Sequence, residues 1–186
     1  MVGMPETLEP IVIAQRSLED VARAIGERRL PPVEGWDPDH CGDSEMRISR
    51  DGSWTHQGAP IFRQALIRQF SRILRREADG SFVLVTPAEK LSIEVELAPF
   101  VATAMISEGQ GRERQLAFAI NSGDAVLLGP GHALRIEYGM PLVHVRSGLD
   151  AMLARPVYYE LAEIALADSP EEPGVWSGGL FFPLDA

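Results

Sequence analysis

The chain is poor in the residues that staple, anchor or cleave. Cys41 is its one cysteine in 186 residues, which excludes an internal disulfide and sets the expectation of a reduced, cytoplasmic protein. Nowhere do eighteen apolar residues follow one another, and the opening MVGMPETLEPIVIAQ lacks a basic n-region, so neither a membrane span nor a signal peptide is expected. The four histidines, His40, His56, His132 and His144, are scattered, and no CxxC or HExxH pairing offers a zinc site. There is no GxSxG elbow, no Walker loop and no GxGxxG after a strand; the glycines of EGQGRE read as a turn. Cys41 has no base positioned to activate it, because the adjacent His40 points elsewhere on an extended chain. No catalytic residue, metal ligand or cofactor is therefore assigned.

Positive charge is also scarce. Seventeen Lys and Arg against twenty-seven Asp and Glu give a net charge of -10, which argues against broad adhesion to DNA, RNA or anionic membranes. The distribution is uneven: residues 1–90 hold twelve bases and fourteen acids, residues 91–186 five and thirteen. Between 47 and 76, seven arginines accompany a single acid, Asp51, and a phosphate-sized partner is expected there.

The spacing of what remains predicts mixed α and β structure. Ser17 and Asp20 open a short amphipathic helix carrying Leu18, Val21, Ala22 and Ile25 on one stripe, ending near Arg28. Residues 29–44, rich in proline, glycine and aspartate, read as irregular chain. EMRISR and SWTHQ flank Asp51-Gly52, the signature of a two-residue hairpin loop. Gly58-Ala59-Pro60 then starts a helix through IFRQALIRQFSRILRR, with Arg68, Arg72, Arg75 and Arg76 on a solvated face. SFVLVTP and the alternating LSIEVEL are strands, followed by strands near 99–107, 114–120, 125–128, 132–138 and 142–146 in an antiparallel meander. LDAMLA and PVYYELAEIALAD read as one helix, bent or restarted at Pro156, and the apolar tail around Trp176 to Phe182 docks as a loop. The fold class is α+β in two lobes, residues 1–89 and 90–186.

One constellation has chemical content. A two-residue loop pairs Arg47 with His56 and collects Asp43, Arg47, Trp54 and His56 on one hairpin face. Arg63 falls inside the apolar arc of the next helix, where it must pair, snorkel or meet an anion; Asp43 is one partner for it. Amides around Ile61 to Arg63 add to Arg47 and Arg63 as a phosphate cradle, with Trp54 to stack a base. The bland alternative is an amphipathic hairpin whose tryptophan packs.

CGDSEMRISRDGSWTHQGAPI, LIRQFSRILRRE, DGSFVLVTPAEKLSIEVELAPF, INSGD and LVHVRSGLDAMLARPVYYELAE, in that order, resemble the bacterial family catalogued as domain of unknown function 1285, over residues 36–165. The resemblance implies two structurally similar α+β lobes, the second superficially like a pleckstrin-homology fold, with a nucleotide-type ligand at their interface and a signalling role. Carried over by motif, the interface residues are Cys41, Asp43, Arg47, Arg50, Trp54, Lys90, Asn121, Asp124 and Arg146; Pro156 departs from the expected helix-permissive residue. The expectation is a regulatory protein binding a small anionic ligand. Two alternatives stay open: an interaction module or homo-oligomer meeting its partner through Tyr158, Tyr159 or the apolar tail, and an enzyme acting on phosphoesters through carboxylates such as Asp43 and Asp124.

Overall fold

A computed structural model describes residues 9–185. Helix α1 (Leu18–Glu27) begins as its sequence predicts, with the Ser17 hydroxyl accepting from the Asp20 amide at 3.1 Å. Its apolar stripe, however, lies on the second lobe. The first lobe comprises β1 (His40–Ile48), β2 (Trp54–His56), β3 (Ala59–Pro60), α2 (Gln64–Arg72), β4 (Leu74–Arg76), β5 (Phe82–Val85) and β6 (Glu89–Val95). Its six strands lie in the order β3-β2-β1-β6-β5-β4. The second lobe follows with β7 (Phe100–Glu108), β8 (Gln115–Ile120), β9 (Ala125–Leu127), β10 (Leu134–Glu137), β11 (Met140–Arg146) and β12 (Leu149–Leu153), ordered β10-β11-β12-β7-β8-β9. Helix α3 (Arg155–Asp168) and the hairpin β13 (Gly174–Ser177) and β14 (Leu180–Pro183) complete the chain.

The two sheets share one topology. Each is a pair of three-stranded antiparallel meanders whose first and last strands run parallel, β1 beside β6 and β7 beside β12. The second lobe is thus a mixed sheet rather than the pure antiparallel meander expected. Because β6 completes the first sheet, the division expected between 89 and 90 moves to the connection between Val95 and Phe100.

Several local expectations are corrected by pairing. Loop residues Arg50-Asp51-Gly52 form a three-residue turn, closed by Ser49 N donating to Ser53 O and Gly52 N to Ser49 O, both 2.9 Å, with Gly52 at φ 85°. The register is therefore Met46 opposite His56, Arg47 opposite Thr55 and Ile48 opposite Trp54, one residue from the predicted one. A slip of one residue exchanges the faces. Trp54 joins Ile48 inside, 1% exposed and stacked on Phe70 at 6.2 Å, while Arg47 faces out with Thr55. The segment expected to be irregular to 44 is already strand from His40.

The long predicted helix stops at Arg72, because Leu74–Arg76 pairs with Phe82–Leu84 around a second Asp-Gly-Ser turn. Arg75 then points inward from β4 and binds the carbonyls of Val33 and Trp36, both at 2.7 Å, and the Glu77 carboxylate. LDAMLA is strand up to Leu153, covered between β11 and β7. Pro156 sits in the first turn of α3, where its missing N–H costs nothing. The tail docks as expected, but as a hairpin: Ser177 Oγ donates to Leu128 O at 2.7 Å and accepts from Leu116 N at 2.9 Å.

The core runs without a break from Ile48 and Trp54 in the first lobe through Phe100 and Phe118 to Leu161 and Phe182. Strand β8 is apolar from Leu116 to Ile120 because both faces are covered there. Leu116, Phe118 and Ile120 enter the main core, whereas Ala117, with Ala125 of β9, leaves room for Leu18 and Val21 of α1 to pack closely.

Candidate functional site at the lobe junction

The residues expected to converge on one cleft do not do so. On the outer face of the first sheet, Arg47 is bound to Glu94 at 2.8 Å and lies 3.6 Å from Glu96. Arg50 donates its amide to the same Glu96 at 3.0 Å. Asp43 accepts from the Glu45 amide at 2.8 Å, beside a bulge in β1, and among the described residues it makes no ion pair with Arg63. Cys41 and Lys90 are register partners on β1 and β6, with Cys41 exposed. His56 is exposed, and so is Arg63, which stands at the start of α2 rather than within its apolar arc. With Trp54 buried, the predicted hairpin cradle has neither its ring nor its second arginine.

A different set meets where α2, the turn after β8, the end of β11 and the chain on either side of α1 come together. Arg146, on β11, donates through Nη2 to the Ser71 carbonyl in the last turn of α2 at 2.6 Å, a favourable place for a cation at the helix C-terminus. Its guanidinium lies over the Phe100 ring at 5.4 Å. Its Nη1 is buried and meets no acceptor, and no carboxylate lies within ion-pair distance among the described residues. Burial pushes the Arg146 pKa down, opposed first by Asp124 and then by Glu34.

Asp124 is held from two sides. Ser122 Oγ donates to it at 2.6 Å and Arg28 Nε approaches to 2.7 Å, in an ion pair whose side chains are only 11% and 13% exposed. Between them Gly123 has φ 91°; a Cβ there would lie 2.9 Å from Arg68 Cδ and 3.3 Å from Arg28 Nη2. The glycine lets both arginines close over the turn. Arg68 Nε is buried and without an acceptor. Ile11, Ile25, Arg28, Asp124, His132 and Arg146 line a cavity of about 140 Å³ here. Asn121, at the start of the same turn, accepts from the Val101 amide at 2.9 Å, and a Cβ on Gly52 would lie 3.1 Å from its Nδ2. It therefore joins the lobes rather than lining the cavity.

A second groove between the lobes, of about 200 Å³, holds Arg135, Glu137 and Asp150. There the charges are matched. Arg135 binds Asp150 at 2.7 Å and Glu137 at 3.0 Å, its pKa raised chiefly by the Asp150 bond, and His144 Nδ1 lies 3.2 Å from Asp150. The buried guanidinium nitrogens of Arg68 and Arg146 that meet no acceptor lie instead on the Arg146 side. Among the described residues no three His, Cys, Asp or Glu are grouped to hold a metal ion, and no helix is long and apolar enough to cross a membrane.

Of the predicted site residues, Asp124 and Arg146 meet at this cavity. Arg28 and His132, which also line it, and Arg68, which lies against the Gly123 turn, were not foreseen. The one available signal was the surplus of arginine on α2, which reads as a solvated face until a second lobe is placed against it.

Comparison with known proteins bears on the whole chain. A model described as "Domain of unknown function (DUF1285), N-terminal domain" matches residues 31–98, and one described as "Protein of unknown function (DUF1285), C-terminal domain" matches residues 99–184. A DUF1285 family protein of Silicibacter pomeroyi DSS-3, solved by crystallography, is 42% identical, with a TM-score of 0.77 over 90% of this chain and 94% of its own. A second crystal structure, of a DUF1285 family protein from Shewanella baltica OS155, is 22% identical and shares the fold at a TM-score of 0.52, over 63% of this chain and 90% of its own. No curated protein matches.

Proposed function

The chain belongs to the DUF1285 family, whose description carries no activity, and from that premise we propose that it is a cytoplasmic regulatory protein that binds a small anionic, nucleotide-type ligand at the lobe junction. The observation that carries this reading is the Arg146 guanidinium: one nitrogen tied to α2, the other buried without an acceptor, in a side chain that lines the cavity. A buried cationic nitrogen left unpaired is costly, and an anion in the cavity relieves that cost. Arg28 is beside it, and Arg68 is drawn in across Gly123. Because Arg146 touches α2 and Arg28 belongs to the segment before the first lobe, occupancy couples the placement of the lobes, as a signal-relaying protein requires.

An enzyme using Asp43 and Asp124 has less support, since Asp43 borders a cavity on the outer face of the first sheet and Asp124 the junction. A protein-interaction role, including self-association, is the second reading. It is favoured by Tyr159 and Leu166, 58% and 56% exposed and seven residues apart on α3.

Calorimetric titration and thermal shift with inorganic phosphate and a panel of nucleotides test the first reading. A ligand at one hundred times its Kd adds about 2.7 kcal/mol, which at about 2–4 °C per kcal/mol raises Tm by roughly 5–11 °C. Arg146→Met is expected to abolish the rise while leaving the unliganded Tm close to that of the parent. No rise at millimolar concentrations, or an equal rise in Arg146→Met, removes the support for an anion site at Arg146.

A further inference from the structure

The junction cavity is small for the ligand class just proposed. At about 30 Å³ per water molecule, 140 Å³ is the space of about five waters, enough for a phosphate group but below the roughly 300 Å³ at which organic ligands are usually enclosed. One wall of the cavity is of a different kind from the others. Ile11, Ile25, Arg28 and Leu30 come from residues 9–30, a segment that precedes both matched domains and crosses the second lobe as a strap.

The strap is held by one small apolar cluster, Ile11, Ile13, Leu18 and Val21 against Ala117 and Ala125, and by few polar links. Ile11 N donates to Gly123 O at 2.8 Å, Leu18 N to Glu108 Oε1 at 2.8 Å and Arg72 Nη2 to Arg29 O at 3.3 Å, and Arg28 pairs with Asp124. Its ten-residue helix α1 buries only Leu18 and Val21 fully, and a helix of that length is marginal without its packing. A peripheral segment whose packing is confined to one small cluster, separate from the main core, opens locally while the body stays folded. The body does not need the strap for its sheets, which are complete from β1 to β12.

We propose that the strap of residues 9–30 is a movable wall that sets the size of ligand the junction accepts: closed, it leaves room for a lone phosphate-sized anion, and lifted, it opens the site around Arg146 to a nucleotide. The inference rests on the junction being an anion site. Arg28 travels with the strap, so lifting it also frees the Asp124 carboxylate, which then faces Arg146 or a donor group of the ligand. A nucleotide binds only the lifted fraction, and its apparent affinity is lowered by that fraction.

The test uses the full chain with two probes, inorganic phosphate and adenosine monophosphate, and two variants that loosen the strap without lining the cavity, Val21→Ala and Leu18→Ala. Hydrogen exchange of residues 18–27 establishes that each variant opens more often, and the Tm that the body remains folded. Nucleotide affinity is expected to rise about tenfold for a tenfold gain in the lifted fraction, with phosphate affinity unchanged or weaker. Phosphate that binds while the nucleotide binds neither form, or binds parent and loosened variants equally, overturns the strap and spares the site. A nucleotide gain matched by an equal phosphate gain also overturns the strap, since it shows no selection by size. If neither probe binds any form, the anion site fails and the strap proposal fails with it.

Discussion

The two lobes solve the same strand diagram in different ways. In the second, the edge strands β9 and β10 follow each other in the chain and their ends meet at the Gly129–His132 bridge, so the sheet curls on itself. In the first, the corresponding edges β3 and β4 are separated by α2. That helix turns Ile67 and Phe70 toward Trp54 and carries Arg68 and the Ser71 carbonyl to the other lobe. The lesson is that a repeated topology is not a repeated environment. The lobe closed by a helix supplies the junction with a cationic side chain and a helix C-terminus, and the lobe closed by strands supplies the turn that receives them.

The largest expected effect probes whether the lobes are energetically one body. Phe118→Ala in the second lobe and Trp54→Ala in the first each remove a large, fully buried ring, at a cost of about 3–5 kcal/mol. Since one core contains both rings, calorimetry is expected to show a single transition lowered in either variant; two separated transitions would split the comparison into independent domains.

A finer contrast lies within the first lobe. Gly52 and Gly80 occupy equivalent Asp-Gly-Ser turns, at φ 85° and 88°. Alanine at either meets the left-handed penalty of about 1–2 kcal/mol. At Gly52 the new methyl would also lie 2.6 Å from Val101 Cγ2 of the other lobe, adding an overpacking cost of about 1–3 kcal/mol. At Gly80 the nearest atom is the end of Arg76, at 3.8 Å. Chemical denaturation should therefore rank Gly52→Ala well below Gly80→Ala, and equal losses would mean that the lobes do not touch there.

The smallest effect is on pH dependence. In both turns the aspartate is held below the ordinary 3.8, first by the hydroxyl and then by the amide of the following serine, Ser53 for Asp51 and Ser81 for Asp79. A carboxyl whose folded pKa is depressed contributes stability that is present above its unfolded pKa and disappears as pH falls through the folded one. Asp51→Asn and Asp79→Asn should each flatten the acid limb below about pH 4, modestly, because both groups are exposed. Urea midpoints between pH 5 and 2.5 measure this, and an unchanged limb in both variants would show that the turns hold no net preference for the ionised form.

Much of the fold was legible in local pattern. The Ser17 cap, the alternation of LSIEVEL and the strands of the second lobe are set by neighbours a few residues away. The failures have a common cause. LDAMLA and LRR carry residues that suit a helix, yet both are pulled into sheets by partners far along the chain, Phe100–Ala102 and Phe82–Leu84. In the hairpin, the Asp-Gly pair located the turn correctly, but its length was decided by which residue, Trp54 or Thr55, could be buried opposite Ile48. That single step moved Trp54 from a supposed ligand platform into the core.

By itself, then, the sequence determined the mixed class, the doubled lobes through their family motifs, and the surplus of arginine in the first half, because composition and short-range periodicity act through adjacent residues. Only the tertiary structure decided which arginines matter. Whether a guanidinium is solvated, paired with a glutamate across a strand as in Arg47, or buried beside a cavity as in Arg146 depends on what the other lobe places around it, and that arrangement spans separations no local pattern encodes.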